Sequence, residues 1–234
     1  MPLIVLWDVD HTLIENSGVS KEIYAAAYAR LAGHPPQEPA VTAGRTDRLI
    51  MAEMFRVQGL EVPPWTQIAQ ALAQAGAARE MELRRRGTAL PGAREALKAL
   101  AAEDWAISSV LTGNIEANAL VKLRAFDLDV LLDLRVGAYG AESEDRAQLV
   151  AVARRRIAKA YSLPSSTAVA LIGDTPRDVE AALTNGVHIV AVASGAHGTR
   201  ELREAGAAVV LADLCDTDGL IARLKSWSTP WAGC

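Results

Sequence analysis

Asp8 and Asp10 stand one residue apart in the stretch LIVLWDVDHTLIEN, directly after the apolar run Leu3–Trp7 and just ahead of Thr12. Two carboxylates delivered to one spot by a buried strand repel each other unless something compensates. Two other apolar runs end in polar clusters. WAISSVL leads into Thr112-Gly113-Asn114, and AVALI leads into Gly173-Asp174-Thr175-Pro176-Arg177-Asp178. If these runs are neighbouring strands, four carboxylates meet at one sheet edge. A divalent cation is the expected remedy, and an all-oxygen donor set suits Mg²⁺ better than zinc or copper.

Metal ligation alone does not explain the Asp-x-Asp spacing, whereas phosphoryl transfer does. One carboxylate can attack phosphorus and form an acyl phosphate, with Mg²⁺ relieving its repulsion from the phosphate dianion. The second acid can donate a proton to the leaving oxygen and later take one from water, which is typically worth about 10²–10⁴-fold in rate. The Thr112 hydroxyl and the backbone N–H groups of Gly113 and Asn114, at a strand-to-helix turn, form a suitable phosphate cradle. A protein cation should face the phosphate too. Arg146 is best placed, at the start of a helical stretch, with Arg154, Arg155, Arg156 and Lys159 as competitors.

The elements that must position these residues follow from hydropathy patterning. Near-continuous apolar runs at Leu3–Trp7, Trp105–Leu111, Val130–Val136, Ala168–Ile172, Val187–Val192 and Ala208–Leu211 read as parallel strands covered on both faces. Helical patterns lie between them, at Ala93–Ala102, Ile115–Phe126, Asp145–Tyr161, Val179–Thr184 and Thr199–Ala205. Gly186 sits where a helix end favours a left-handed residue. The order implies an α/β fold with a doubly wound, mostly parallel sheet.

Between about Val19 and Arg86 the rhythm breaks into helical periodicity without a convincing strand. SKEIYAAAYARLAG reads as a helix with Ser20 as N-cap and Gly33 at its end, TDRLIMAEMFRVQG as a second, and TQIAQALAQAGAAREMELRRRG as a third helical segment. The expected organisation is an α/β core from residues 1–14 and 89–234 with a small helical domain, residues 15–88, inserted after the first strand.

The 24 basic and 28 acidic residues give a formal charge of −4, an ordinary mixed surface without the basic footprint of a nucleic-acid binder. Cys215 and Cys234 share no metal-ligand spacing. Leu3–Trp7 is too short for the apolar region of a secretion signal, and no run reaches the roughly 20 residues of a membrane span. A cytoplasmic protein is expected, acting on a small-molecule phosphate ester, with neither nucleic acid nor membrane as a partner, as a monomer or homodimer.

At this point the chain resembles the haloacid dehalogenase superfamily. Asp8-Val9-Asp10-His11-Thr12 resembles its first motif, DxDxT. Thr112-Gly113-Asn114 resembles the second, and Gly173-Asp174-Thr175-Pro176-Arg177-Asp178 resembles the fourth, GDxxxD. Arg146 fills the place of the basic third motif, though without the Lys-Pro context common there. The resemblance is closest to the phosphoglycolate-phosphatase-like branch with a helical cap. It implies Asp8 as nucleophile and Asp10 as general acid/base that also gives its backbone carbonyl to Mg²⁺. Asp8 and Asp174 become side-chain metal ligands, Asp178 holds a metal-bound water or orients Arg146, and Thr112 and Arg146 bind the phosphoryl group. Gly44-Arg45-Thr46 resembles a substrate-facing cap loop, so Arg45 and Thr46 are candidate substrate contacts, with Thr46 alternatively a helix N-cap.

Other residues have plainer readings. His11 shapes a turn, His188 is structural, and Ser194–Gly198 is either a glycine-rich turn or a lining of the site. Arg84-Arg85-Arg86 is a solvated helix end, and among the tryptophans Trp65 alone is a candidate substrate contact. The implied activity is hydrolysis of a phosphomonoester. Transfer of the phosphoryl group to a sugar hydroxyl, as in a mutase, is the alternative. Carbon–halogen hydrolysis would leave Asp10 without a use, and a non-catalytic binding protein on this fold would not need every acid to be present.

Overall fold

The computed structural model describes residues 2–228, so Cys234 lies outside the described residues, while Cys215 is exposed. Strand β1 (Leu3–Trp7) is followed by the two-residue strand β2 (Ile14–Glu15) and helices α1 (Val19–Ala32), α2 (Asp47–Arg56), α3 (Trp65–Ala77) and α4 (Glu80–Arg86). The chain returns through β3 (Thr88–Ala89), α5 (Ala93–Ala101), β4 (Ala106–Thr112), α6 (Glu116–Ala125) and β5 (Ala138–Tyr139). It ends with α7 (Arg146–Tyr161), β6 (Val169–Gly173), α8 (Pro176–Thr184), β7 (His188–Val192), α9 (Thr199–Glu204), β8 (Val209–Leu211) and α10 (Thr217–Trp227). No helix among the described residues is long and apolar enough to cross a membrane.

Six strands form one parallel sheet in the order β5-β4-β1-β6-β7-β8. Side chains alternate across a strand, and β1 shows it: Leu3, Val5 and Trp7 enter the core on one face, Ile4 and Leu6 that on the other. Burial on both faces explains why the sequence of β1 is an unbroken apolar run. The one polar atom of Trp7 is satisfied, because its indole N–H donates to Ser108 Oγ at 2.9 Å. The chain leaves β1 toward β4 and β5 on one side and returns to β6 on the other. The carboxyl ends of β4, β1 and β6 therefore flank the switch point where open sheets bind ligands.

Helices α1–α4 pack on each other around Tyr28, Ile50, Met51, Phe55, Ile68 and Leu72, and this cluster continues into Ile115 and Ala125 beside α6. The two chain crossings into and out of this block pair as an antiparallel ribbon, β2 with β3, through Ile14↔Ala89 and Glu15↔Thr88. Sequence patterning did not anticipate this ribbon.

Several expectations need correction. Val130–Val136 is not a strand: it forms two short 3₁₀ turns at Asp129–Leu131 and Leu134–Val136, and the edge strand is the two-residue β5 just beyond. An apolar run of that length is ambiguous by periodicity alone. The third helical segment is two helices, α3 and α4, broken near Ala78-Arg79. Ser20 does not cap α1. Gly18, at φ +83°, occupies the cap position, while the Ser20 hydroxyl donates to Asp10 Oδ1 at 3.4 Å. Gly33 and Gly186, at φ +80° and +61°, do take left-handed conformations after their helices. Arg84 and Arg86 are not simply solvated. Arg84 donates to the carbonyls of Arg124 and Ala125, and Arg86 to that of Ser17, so they tie α4 to α6 and to the crossing chain.

Candidate active site

A cavity of about 640 Å³ opens over the carboxyl ends of β1, β4 and β6. The core side supplies Asp8, Asp10, Thr112, Gly113, Asn114, Arg146 and Asp174. The helical block supplies Asn16, Ser20, Lys21, Tyr24 and the loop from Pro39 to Arg45. Strand order thus brings together residues more than a hundred positions apart.

Carboxylate oxygens of Asp8, Asp174 and Asp178, all buried, lie within 4.8 Å of one another. Two like charges at that spacing repel by about 3 kcal/mol at an effective dielectric of 20. One cation answers them: the Arg146 Nη2 group is 3.0 Å from Asp8 Oδ2 and 2.6 Å from Asp178 Oδ1, and Nε donates to the same Asp178 oxygen at 2.8 Å. Burial pushes the Asp8 carboxyl up to about 6, against the lowering pull of Arg146 and with help from Asp178 and Asp10. Burial, then the charges of Asp8 and Asp178, raise Asp174 well above the ordinary range. Burial works against the Arg146 charge, but Asp178 and Asp8 outweigh it and hold the guanidinium protonated. Three carboxyl groups thus converge on one guanidinium, and their side-chain donors are all oxygen. The oxygen donors of Asp8, Asp174 and Asp178 fit a divalent hard cation.

Asp178 also fixes its own helix. Its Oδ2 accepts from Thr175 N at 3.0 Å and Thr175 Oγ1 at 2.7 Å, and Thr175 caps α8 in return. Thr12 donates to Asp174 Oδ1 at 3.2 Å, so the threonine of the first cluster holds the acid of the last.

Asp10 turns away from the three-acid cluster. Its Oδ1 accepts from Asn16 Nδ2 at 2.8 Å, and its Oδ2 from Asn114 Nδ2 at 2.8 Å and from Lys122 Nζ at 2.6 Å. Burial would raise this carboxyl, but the Lys122 ammonium and the Asn114 amide together bring it down to about 2. Sequence reasoning missed Lys122. The available signal was a lysine on the buried stripe of α6 beside Ala119 and Leu123. The Thr112 hydroxyl accepts from both the backbone N–H and the side-chain amide of Asn114, at 3.3 and 2.8 Å.

Of the basic residues of α7, Arg146 alone lines the cavity; the competitors do not reach it. Arg154 binds the Thr167 carbonyl, and Arg156 the Gly137 carbonyl and Glu142. Asp145, whose side chain accepts from Ala147 N, is the N-cap that starts α7 and so aims Arg146 inward.

The helical block meets the core through the loop carrying Arg45. Arg45 lines the cavity with its guanidinium ion-paired to Glu53. Thr46 does not line it: fully buried, it caps α2 by accepting from Leu49 N at 3.3 Å and donates to the Glu144 carbonyl at 3.2 Å. The substrate contact expected of Thr46 gives way to the helix cap. Trp65 lies outside the lining too, with the Arg48 guanidinium 5.2 Å over its ring. The loop approaches the core so closely that a Cβ on Gly113 would collide with the Arg45 carbonyl. His11, at φ +59°, makes the turn after Asp10. Ala196 and His197 line the cavity, while His188 stacks on Trp227 at 4.4 Å.

Asp47, which sequence reasoning also passed over, clasps block to core. Its backbone N–H donates to Gly113 O at 2.7 Å, Oδ1 accepts from the Tyr24 hydroxyl at 2.5 Å, and Oδ2 from Ile115 N at 2.8 Å. Burial pushes this carboxyl from 3.8 up to about 6 despite those bonds. The folded chain therefore holds the proton more tightly than the unfolded one. Stability from this group is full below pH 4 and falls as pH rises through 6. Relative to Asp47→Asn, the wild-type chain is expected to lose about 2 kcal/mol between pH 4.5 and 7. Urea unfolding of both proteins at the two pH values measures it. A stability difference independent of pH would refute the raised pKa of Asp47.

No curated protein sequence matches the chain significantly. Among solved structures, a hydrolase from Pseudomonas syringae superposes with a TM-score of 0.68 at 21% identity, over 98% of this chain and 100% of that one. CbbY from Rhodobacter sphaeroides, solved in complex with phosphate, gives 0.68 at 19% identity, over 92% and 96%. A predicted phosphoglycolate phosphatase from Haemophilus somnus gives 0.63 at 17%, over 94% and 98%. At such identities these similarities establish the shared fold. The model of haloacid dehalogenase-like hydrolases matches residues 5–183, from β1 into α8 and through all three acidic and hydroxyl clusters. The chain therefore belongs to the haloacid dehalogenase-like hydrolase family.

Proposed function

We propose that the protein is a Mg²⁺-dependent hydrolase of a small phosphomonoester, working through a phosphoryl group carried on Asp8. The observation that carries this reading is the meeting of Asp8, Arg146 and Asp174 with a separately held second acid, Asp10, in one cavity.

One Asp8 oxygen attacks phosphorus, the bond from phosphorus to the leaving oxygen breaks, and that oxygen takes a proton from Asp10. Water then attacks the Asp8-bound phosphoryl group, Asp10 accepts the water's proton, and the Asp8 oxygen leaves as carboxylate. The shift of Asp10 toward its ionised form by Lys122 and Asn114 suits this second half. The first half needs it protonated, and an arriving phosphate dianion favours that by like-charge repulsion. Thr112, Gly113 and Asn114 cradle the phosphoryl oxygens beside Arg146. Asp8 and Asp174 would hold Mg²⁺, whose positive charge would offset the repulsion between the Asp8 carboxylate and the phosphate.

Residues 15–88 act in this reading as a cap on the core, residues 1–14 and 89–234, hinged at the β2–β3 ribbon. Closure excludes bulk water, and the segment from Pro39 to Arg45 meets the leaving group. The resemblance to phosphoglycolate phosphatases makes phosphoglycolate the first substrate to try, in a cytoplasmic setting.

A phosphate-release screen over many phosphometabolites, run with millimolar Mg²⁺ and again with a chelator, tests the proposal. At least one phosphomonoester is expected to release phosphate, with activity lost in chelator and restored by added Mg²⁺. Release unaffected by the chelator would remove the metal. Conversion of a sugar phosphate to its isomer without free phosphate would favour the transferase alternative.

A further inference from the structure

Lys122 has no part in the reaction just described, yet its placement is unusual for a lysine. Its side chain is 3% exposed, against 22% for its partner Asp10, and lysines are almost never buried unpaired. The ammonium stands 2.6 Å from Asp10 Oδ2 and 2.5 Å from Asn114 Oδ1. Asn114 in turn donates its amide to the same Asp10 oxygen and to Thr112 Oγ1. The ammonium thus dictates which way the Asn114 amide faces, because a lysine can only donate. A flipped amide would set its NH₂ against the ammonium and its oxygen against the Asp10 carboxylate, and so lose its bonds to both.

We infer that Lys122 is a positioning residue, which sets the Asp10 carboxylate for proton transfer by holding it directly and through the oriented amide of Asn114. The inference rests on the proposed role of Asp10. Lys122 itself does not line the cavity. It stands in the last turn of α6, on the buried stripe that also carries Ala119 and Leu123. Asn16 Nδ2 holds the other Asp10 oxygen from the helical block, so losing Lys122 leaves Oδ2 held only by an Asn114 amide whose orientation is no longer fixed. Proton donation matters most when the leaving oxygen is strongly basic. The consequence of losing Lys122 should therefore depend on the leaving group, which a purely structural role would not produce.

The test compares kcat/KM for an alkyl phosphomonoester, whose leaving oxygen needs a proton, with p-nitrophenyl phosphate, whose leaving group does not. Asp10→Asn, Lys122→Met, Lys122→Arg and the Asp10→Asn/Lys122→Met double variant are measured beside the wild type. Lys122→Met is expected to lower the alkyl value by roughly 10²-fold, at the low end of general acid contributions, and the p-nitrophenyl value by under about fivefold. Lys122→Arg should recover part of the loss, and the double variant should be no worse than Asp10→Asn alone. Equal losses on both substrates, or an additive double variant, would overturn the inference. If Lys122→Met does not fold, the split is read from Lys122→Arg. If Asp10→Asn itself shows no leaving-group split, the reading of Asp10 fails instead, and the two failures are thereby told apart.

Discussion

Asp8→Asn is expected to lower kcat for phosphate release by about 10⁴-fold or more, the scale on which removal of a nucleophile acts. The amide nitrogen and oxygen of asparagine do not form the acyl phosphate that the carboxylate can form. The substitution keeps side-chain volume, and Asp8, directly after β1, is anchored by its backbone N–H, which donates to Ile172 O at 2.9 Å. The variant should therefore fold, and circular dichroism can verify this before activity is read. Brief mixing with substrate and acid quench, followed by mass spectrometry, should show one added phosphoryl group on the wild-type chain and none on the variant. If Asp8→Asn released phosphate at the wild-type rate, the assignment of the nucleophile would be lost, whatever the fold.

The second large effect is on stability. Arg146→Met should destabilise the metal-free protein by about 3–5 kcal/mol, the range found when one partner of a buried ion pair is removed. The reason lies in the geometry: among the described residues Arg146 is the one cation bonded to both Asp8 and Asp178, and Asp174 stands within 4.8 Å of them. Methionine fills much of the same space but leaves three carboxylates facing each other. At a typical 2–4 °C per kcal/mol for a chain of this size, the melting temperature should drop by about 10 °C in chelator. Millimolar Mg²⁺ should return part of that loss, because a cation bound by the folded state alone stabilises it by mass action. A variant melting within a degree or two of the wild type in chelator would mean that the acids are not held together as described. The same substitution should weaken phosphate binding, so inorganic phosphate should raise the melting temperature of the wild type but not of the variant.

These two expectations differ in what they interrogate. Asp8→Asn tests chemistry and leaves the electrostatic cluster smaller by one charge. Arg146→Met tests the cluster and leaves the nucleophile in place. The stability cost of an acid-rich pocket is ordinary at sites arranged for pKa perturbation, and here it falls on Arg146, the cation that sequence position favoured over four basic neighbours.

The sequence by itself determined the alternation of strands and helices, the helical block between them, and the Asp8, Asp10, Thr112, Asp174 and Asp178 set. Those features are local: apolar runs bury strands, the residues that follow must lie at strand ends, and their chemistry is readable from type and spacing. Tertiary structure alone decided the rest. Val130–Val136 is as apolar as a strand, yet only two residues beyond it pair with β4, since pairing depends on register with a partner that no local window contains. Thr46 looked equally fit for a ligand or a helix cap until its neighbours buried it. Lys122 and Asp47 carry no motif at all. Each gains meaning from a partner 112 or 68 positions away, Asp10 and Ile115 respectively, and such pairings exist only once the sheet order and the docked helices bring the chain together.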